Sequence, residues 1–150
     1  MSKKASGFTL IELLVVVAII GILCAALIPN ALTAILKAKQ KSSMKDIASI
    51  STALADYVTD NGSTPDQDGT YQASSAFYTA ICPFYIRVLP VTDPWGSGYQ
   101  VWCGSNATEY GISSPSSDDY IVASFGSDKQ KESFTYDPNN PDAGIYVLLI

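Results

Sequence analysis

Histidine is absent from the 150 residues. That removes His-based catalytic triads, His metal sites and histidine proton shuttles. Charge is scarce too: 15% of the residues are Asp, Glu, Lys or Arg, against 47% hydrophobic. Basic residues all but stop after Lys45. From Asp46 onward 13 acids face only Arg87, Lys129 and Lys131, a balance of −10. An acidic globular part argues against binding DNA or RNA through phosphate contacts, which need a positive face. No nucleic-acid partner is expected. No complete G-x-G-x-x-G or Walker A string occurs, so a nucleotide site of those kinds is unsupported. Ser42-Ser43-Met44-Lys45 has the S-x-x-K spacing of some serine acylases but none of their other motifs. Asp118 and Asp119 are adjacent in sequence, which does not make a catalytic pair. The chain is not expected to be an enzyme.

Cysteine is limited to three residues. Cys24 lies in an apolar run and is expected to be a buried thiol. Cys82 and Cys103 lie in the polar part and leave two readings open. Either they close a loop of about 22 residues, worth roughly 3 kcal/mol in an oxidising compartment, or they are separate buried thiols.

What the chain does have is grease at one end. Phe8 to Ile28 is a 21-residue run with one charge, Glu12. As a helix it rises about 31 Å, the depth of a bilayer core. It runs on into Pro29, Asn30 and further helical pattern, unlike a secretory signal with its short apolar stretch and cleavage site. Two lysines precede the run and four follow by Lys45, so charge counting leaves the orientation open. Glu12 is the informative residue. A carboxylate costs about 2.5–3.5 kcal/mol at the centre of such a helix, less near the interface, and a residue kept at that cost has use for a partner.

The string Lys3-Lys4-Ala5-Ser6-Gly7-Phe8-Thr9-Leu10-Ile11-Glu12, with the apolar run to Leu23, closely resembles the N-terminus of type IV prepilins and type II secretion pseudopilins. The resemblance implies a leader, residues 1–7, cut off by a prepilin peptidase between Gly7 and Phe8, with methylation of the new Phe8 amine. It implies a membrane and filament-core helix over 8–28 and a periplasmic head over 29–150. The leader would be cytoplasmic and the C-terminus outside, with the chain in the bacterial inner membrane before assembly and in a periplasmic or surface filament after it. Glu12 would pair with the Phe8 ammonium of a neighbouring copy. Two charges that are costly alone in an apolar bundle become tolerable as a pair. Pro29 falls where that family kinks its helix, and Gly21 is a second candidate for bending or local melting.

Beyond Pro29 the pattern stays helical to about Tyr57, with Ile47, Ile50, Leu54 and Tyr57/Val58 on one face. Phe8–Tyr57 would run about 75 Å as one helix. The turn-forming segment Thr59–Gly69 ends it. Its Asp66-Gln67-Asp68-Gly69 is similar to a fragment of a calcium loop but lacks the leading acid and the closing Glu, and reads as a solvated loop. A short helix is expected over Ser75–Ile81, and strands over Tyr99–Trp102, Tyr120–Phe125 and Gly144–Ile150. The fold class is α+β, a pilin-like lollipop with a small antiparallel sheet of three or four strands on the second half of a long helix. The apolar C-terminus is read as a buried strand or a segment docked on a neighbour.

A second resemblance lies in Leu89-Pro90-Val91-Thr92-Asp93-Pro94-Trp95-Gly96-Ser97-Gly98-Tyr99, which looks like the signature of the major pseudopilin of type II secretion. Asp93-Pro94 and Gly96-Ser97-Gly98 suit a turn, with Trp95 as its anchor. Ser124-Phe125-Gly126-Ser127-Asp128 is similar to the start of the same subfamily's calcium loop. It would place Ca2+ on Ser124 and Asp128, with Asp137 or Asp142 as a later carboxylate. The continuation Lys129-Gln130-Lys131-Glu132 departs from that subfamily, and two lysines discourage a dication. The family implies a homo-oligomeric helical filament with an assembly ATPase, an inner-membrane platform and minor pilins or pseudopilins. The expected role is a type II secretion pseudopilus subunit that drives export of folded proteins. Two alternatives are a type IV pilin for adhesion, motility or DNA uptake, and a membrane-anchored binding module that never polymerises.

Overall fold

The computed structural model describes residues 7–108, 114–131 and the backbone of 148–149. It has two compact units, one ending at Ala38 and the other beginning at Lys39. The first unit is the early part of helix α1, which runs over Leu10–Asn61. Every described residue from Gly7 to Ala38 is exposed in the lone chain, Cys24 included. The burial expected for Cys24 is therefore not met within the chain, because no described residue of its own unit packs over the helix. The helix is the one candidate membrane span among the described residues, with a most apolar window of mean hydropathy 3.0. Helical backbone continues through Gly21 and Pro29. Neither residue interrupts the helix in the lone chain.

The second unit is built on the rest of α1. Ile47, Ile50 and Leu54 recur at helical spacing and are all buried, with Ser43, Ser51 and Ala53 beside them. Each large aliphatic buried this way contributes about 1.5–3 kcal/mol. The sheet has four antiparallel strands in chain order: β1 (Asp68–Thr70), β2 (Gln100–Cys103), β3 (Tyr120–Ala123) and β4 (Leu148–Leu149). Register is set by Val101 opposite Val122 and Cys103 opposite Tyr120, and Gly69 faces Val101. Val101, Cys103, Tyr120 and Val122 join the α1 stripe in one core. The other face of these strands, Trp102, Ile121 and Ala123, is buried as well, with the Lys131 ammonium 5.3 Å from the centre of the Trp102 ring.

Between β1 and β2, helix α2 spans Ala76–Ile81 and is capped by Ser75, whose hydroxyl accepts from Tyr78 N. It turns Phe77 and Ile81 into the core. Two tyrosines tie sheet to helix: Tyr99 donates to Asp46 Oδ2 at 2.8 Å, and Tyr120 to the Ser51 carbonyl at 3.0 Å. A third, Tyr71, donates to the Pro90 carbonyl.

The Cys82–Cys103 bridge does not form; all three cysteines are free. Cys82 lies at the end of α2, where its thiol donates to the Arg87 carbonyl at 3.3 Å. Cys103 is 3% exposed inside β2, and burial pushes its thiol up to about 12. The two thiols are separate, as the second sequence reading has it, but only Cys103 is buried; Cys82 is half-buried. The expected strand over Gly144–Ile150 is described only at Leu148–Leu149, where the backbone pairs with β3.

Candidate functional site

The amino-terminal segment is the first candidate site. Gly7, Phe8 and Thr9 lie ahead of the first helical residue, Leu10. The Gly7–Phe8 peptide bond is thus non-helical, and the Phe8 side chain is 76% exposed. A peptide bond outside regular structure can enter a protease cleft without unwinding a helix. Residues 1–6 of the expected leader lie outside the described residues.

Thr9 and Glu12 form a capping box. Glu12 Oε2 accepts from Thr9 N at 2.8 Å and from Thr9 Oγ1 at 2.8 Å. Thr9 Oγ1 accepts from Glu12 N at 3.3 Å. Each residue satisfies a backbone donor that the helix start would otherwise leave open. The negative charge also sits at the positive end of the helix macrodipole. Thr9 is the functional residue that reading the apolar run alone passes over. Its signal, Thr-x-x-Glu before an apolar helix, is present in the sequence.

The second candidate is the turn Asp93–Ser97 with the end of β3. Asp93 is 5% exposed. Its Oδ1 accepts from Trp95 N at 3.0 Å and Ser97 N at 2.8 Å, and its Oδ2 from Ser124 Oγ at 2.7 Å. The two stretches singled out in the sequence thus meet through one carboxylate. Gly96 takes φ +83°, which favours glycine. Trp95, the anchor expected for this turn, is half-buried, and its indole Nε1 is buried without a hydrogen-bond partner.

Ser124 and Asp128 offer little to calcium. The Ser124 hydroxyl also accepts from Gly126 N at 3.2 Å, and Asp128 Oδ1 accepts from Gln130 N at 3.2 Å. Among the described residues no three or more Cys, Asp or Glu side chains gather to hold a metal. Ca2+ takes six to eight oxygens, and Asp137 and Asp142 lie outside the described residues. The described part therefore does not fit a calcium site.

An apolar N-terminal helix opened by a Thr–Glu box, followed by a small antiparallel sheet packed on a helical stripe, defines a pilin-like chain. Comparison with known proteins specifies which kind. Residues 2–28 match the prokaryotic N-terminal methylation motif, and residues 30–137 match the type II secretion system protein G family. Similar proteins are the type II secretion system core proteins G of Vibrio cholerae, Pectobacterium carotovorum and Aeromonas hydrophila. They are 39%, 36% and 36% identical over 65%, 65% and 66% of this chain, and 70%, 67% and 73% of the relatives. No solved structure gives a significant match. The chain belongs to the type II secretion system protein G family.

Proposed function

We propose that the chain is a structural subunit of a type II secretion pseudopilus-like filament, polymerised from the inner membrane to drive export of folded proteins. The observation that carries this reading is the coincidence in one chain of a methylation-type N-terminus and a protein G head. The protein G match also favours it over a type IV pilin and over an anchored binding module. The role is structural, not enzymatic.

Processing would release residues 1–7 and leave Phe8 as a methylated ammonium. Hydrolysis of the Gly7–Phe8 bond puts that charge next to Thr9, one residue ahead of the helix. In the lone chain the Glu12 carboxylate rests on Thr9 through Oε2. In the filament it would meet the Phe8 ammonium of a neighbour, which fixes subunit register, a use of buried ion pairs with precedent. Before assembly the subunit would sit in the inner membrane with its head in the periplasm. An assembly ATPase and a membrane platform would supply the energy, and minor pseudopilins would complete the filament.

Cell fractionation at native expression tests the reading, combined with an assay of exported proteins in a strain lacking this chain. The protein should partition between membrane and periplasm, and export should fail without it. Abundant protein in sheared surface filaments, with export intact in the deletion strain, would make this a surface pilin.

A further inference from the structure

Within the second unit, α1 has an outer face opposite its core stripe. Lys41, Lys45, Ala48, Thr52, Asp56 and Thr59 follow one another at spacings of three and four, which puts them in one file along the helix. All six are exposed. The file is polarised. Lysines hold the end nearer the N-terminus and Asp56 the other, with Asp60, also exposed, one turn further at its edge. The other two charges of this stretch, Lys39 and Asp46, lie off the file and are half-buried. Tyr99 holds Asp46 Oδ2 at 2.8 Å.

Between its charged ends the file carries nothing large. Thr52 Oγ1 donates to the Ala48 carbonyl at 2.9 Å. Beside it, Ser49 Oγ donates to the Lys45 carbonyl at 2.9 Å, and further along Thr59 Oγ1 donates to the Ala55 carbonyl at 2.8 Å. Covering these hydroxyls would strand no donor, and side chains as small as Ala48 and Thr52 let a second helix come near.

The charge pattern names the partner. Lys41 and Asp56 are fifteen residues apart, and so are Lys45 and Asp60. A single displacement along the helix, about 22 Å, therefore sets both cations of one copy against both carboxylates of another. We infer that neighbouring copies in the filament pack the outer faces of α1 in parallel with this displacement, Lys41 on Asp56 and Lys45 on Asp60. Exposed ion pairs add little energy singly, but they fix register and turn away wrong partners. Asp60 also acts on the Tyr85 hydroxyl, so Lys41–Asp56 is the pair to test first.

The contact joins the basic end of one copy to the acidic end of the next. It is heterologous and repeats without closing, as a filament requires. An antiparallel pair would match the same charges, Lys41 with Asp60 and Lys45 with Asp56. Copies anchored through the same N-terminal run, however, point the same way. The inference rests on the filament reading and supplies the register of neighbours outside the membrane.

The test uses the full chain in cells carrying the secretion apparatus, with Cys24→Ser and Cys82→Ser in every copy. Two differently tagged copies, one Lys41→Cys and the other Asp56→Cys, are co-expressed and treated with a short bis-maleimide. They should link to each other. Two copies that both carry Thr52→Cys should not, since the displacement holds those positions about 22 Å apart along the helix, whereas an antiparallel pair would bring them together. Filaments that form without the first link, or with an equally strong Thr52 link, overturn this inference and leave the filament reading standing. Failure of the unaltered, overproduced chain to form any filament overturns both. Charge exchange gives a second readout. Asp56→Lys should lower filament yield several-fold, and Lys41→Asp added to it should restore much of the loss. A double variant no better than the single one contradicts the pairing.

Discussion

The Ser124 hydroxyl donates a 2.7 Å hydrogen bond to Asp93 Oδ2, so the end of β3 is tied to a turn 31 residues earlier. The opposite oxygen of the same carboxylate holds the backbone of that turn through Trp95 N and Ser97 N. Asp93 is therefore a structural hub of the head. Asp93→Ala should destabilise the head by about 3 kcal/mol, since hydrogen bonds to a charged, buried group are the strong kind. Asp93→Asn should cost less, because the amide oxygen can still take the turn donors. Denaturant unfolding of the full chain in detergent measures both, and an unchanged midpoint for Asp93→Ala would contradict the assignment.

Gly98 is required for a different reason. A Cβ at this position would lie 2.6 Å from Thr70 Cγ2. Thr70 cannot simply turn away, because Gln100 holds its hydroxyl through Oε1 at 3.0 Å and Nε2 at 2.7 Å. Gly98→Ala should cost about 1–3 kcal/mol through overpacking, and adding Thr70→Ser, which removes the clashing methyl, should recover most of it. Equal unfolding midpoints for Gly98→Ala and the unaltered chain would refute the clash.

Alkaline pH should loosen the head. Burial raises the Tyr71 and Tyr99 phenols above their ordinary value, and neighbouring groups, Tyr99 for the first and Asp46 for the second, add to it. An unfolded tyrosine ionises near pH 10. Above that pH the unfolded chain releases protons that the folded chain keeps, so stability is complete below about pH 10 and falls as pH rises further. Tyr71→Phe and Tyr99→Phe should each flatten that fall, read from unfolding midpoints between about pH 8 and 11. A slope unchanged in both variants would rule out these tyrosines as its source.

The cysteines give a chemical check on the fold. Reduction should leave the mass of the chain unchanged. Of the two head thiols, Cys82 should be labelled first. Cys103, buried and pushed up to about 12, should react only on unfolding, because the thiolate is the nucleophile. A Cys82–Cys103 bridge found by peptide mapping would overturn this arrangement of free thiols.

Much of this architecture is legible in the sequence, for local reasons. The α1 stripe declares itself by period, and β2 and β3 by runs of Val, Ile, Trp and Tyr between turn formers. The Ser75 cap of α2 follows from residue type. Strand β1 is not legible: Asp68-Gly69-Thr70 has no apolar alternation and becomes a strand only by pairing with Gln100–Trp102. The state of Cys82 and Cys103 turns on tertiary placement, which spacing does not encode. The Asp93–Ser124 contact is long-range for the same reason. The Thr9–Glu12 box was readable from its spacing, but the apolar run draws attention to the cost of Glu12 rather than to its neighbour.

That neighbour separates two roles for Glu12. A glutamine keeps an acceptor for the Thr9 donors but brings no charge to a neighbouring ammonium. The most direct test therefore compares Glu12→Gln with the unaltered chain, scoring membrane insertion, filament yield and export together. Assembly through the Phe8–Glu12 pair predicts normal insertion with filaments and export lost. Filaments and export at the unaltered level in Glu12→Gln would show that Glu12 serves as a helix cap alone, and would contradict assembly through the Phe8–Glu12 pair.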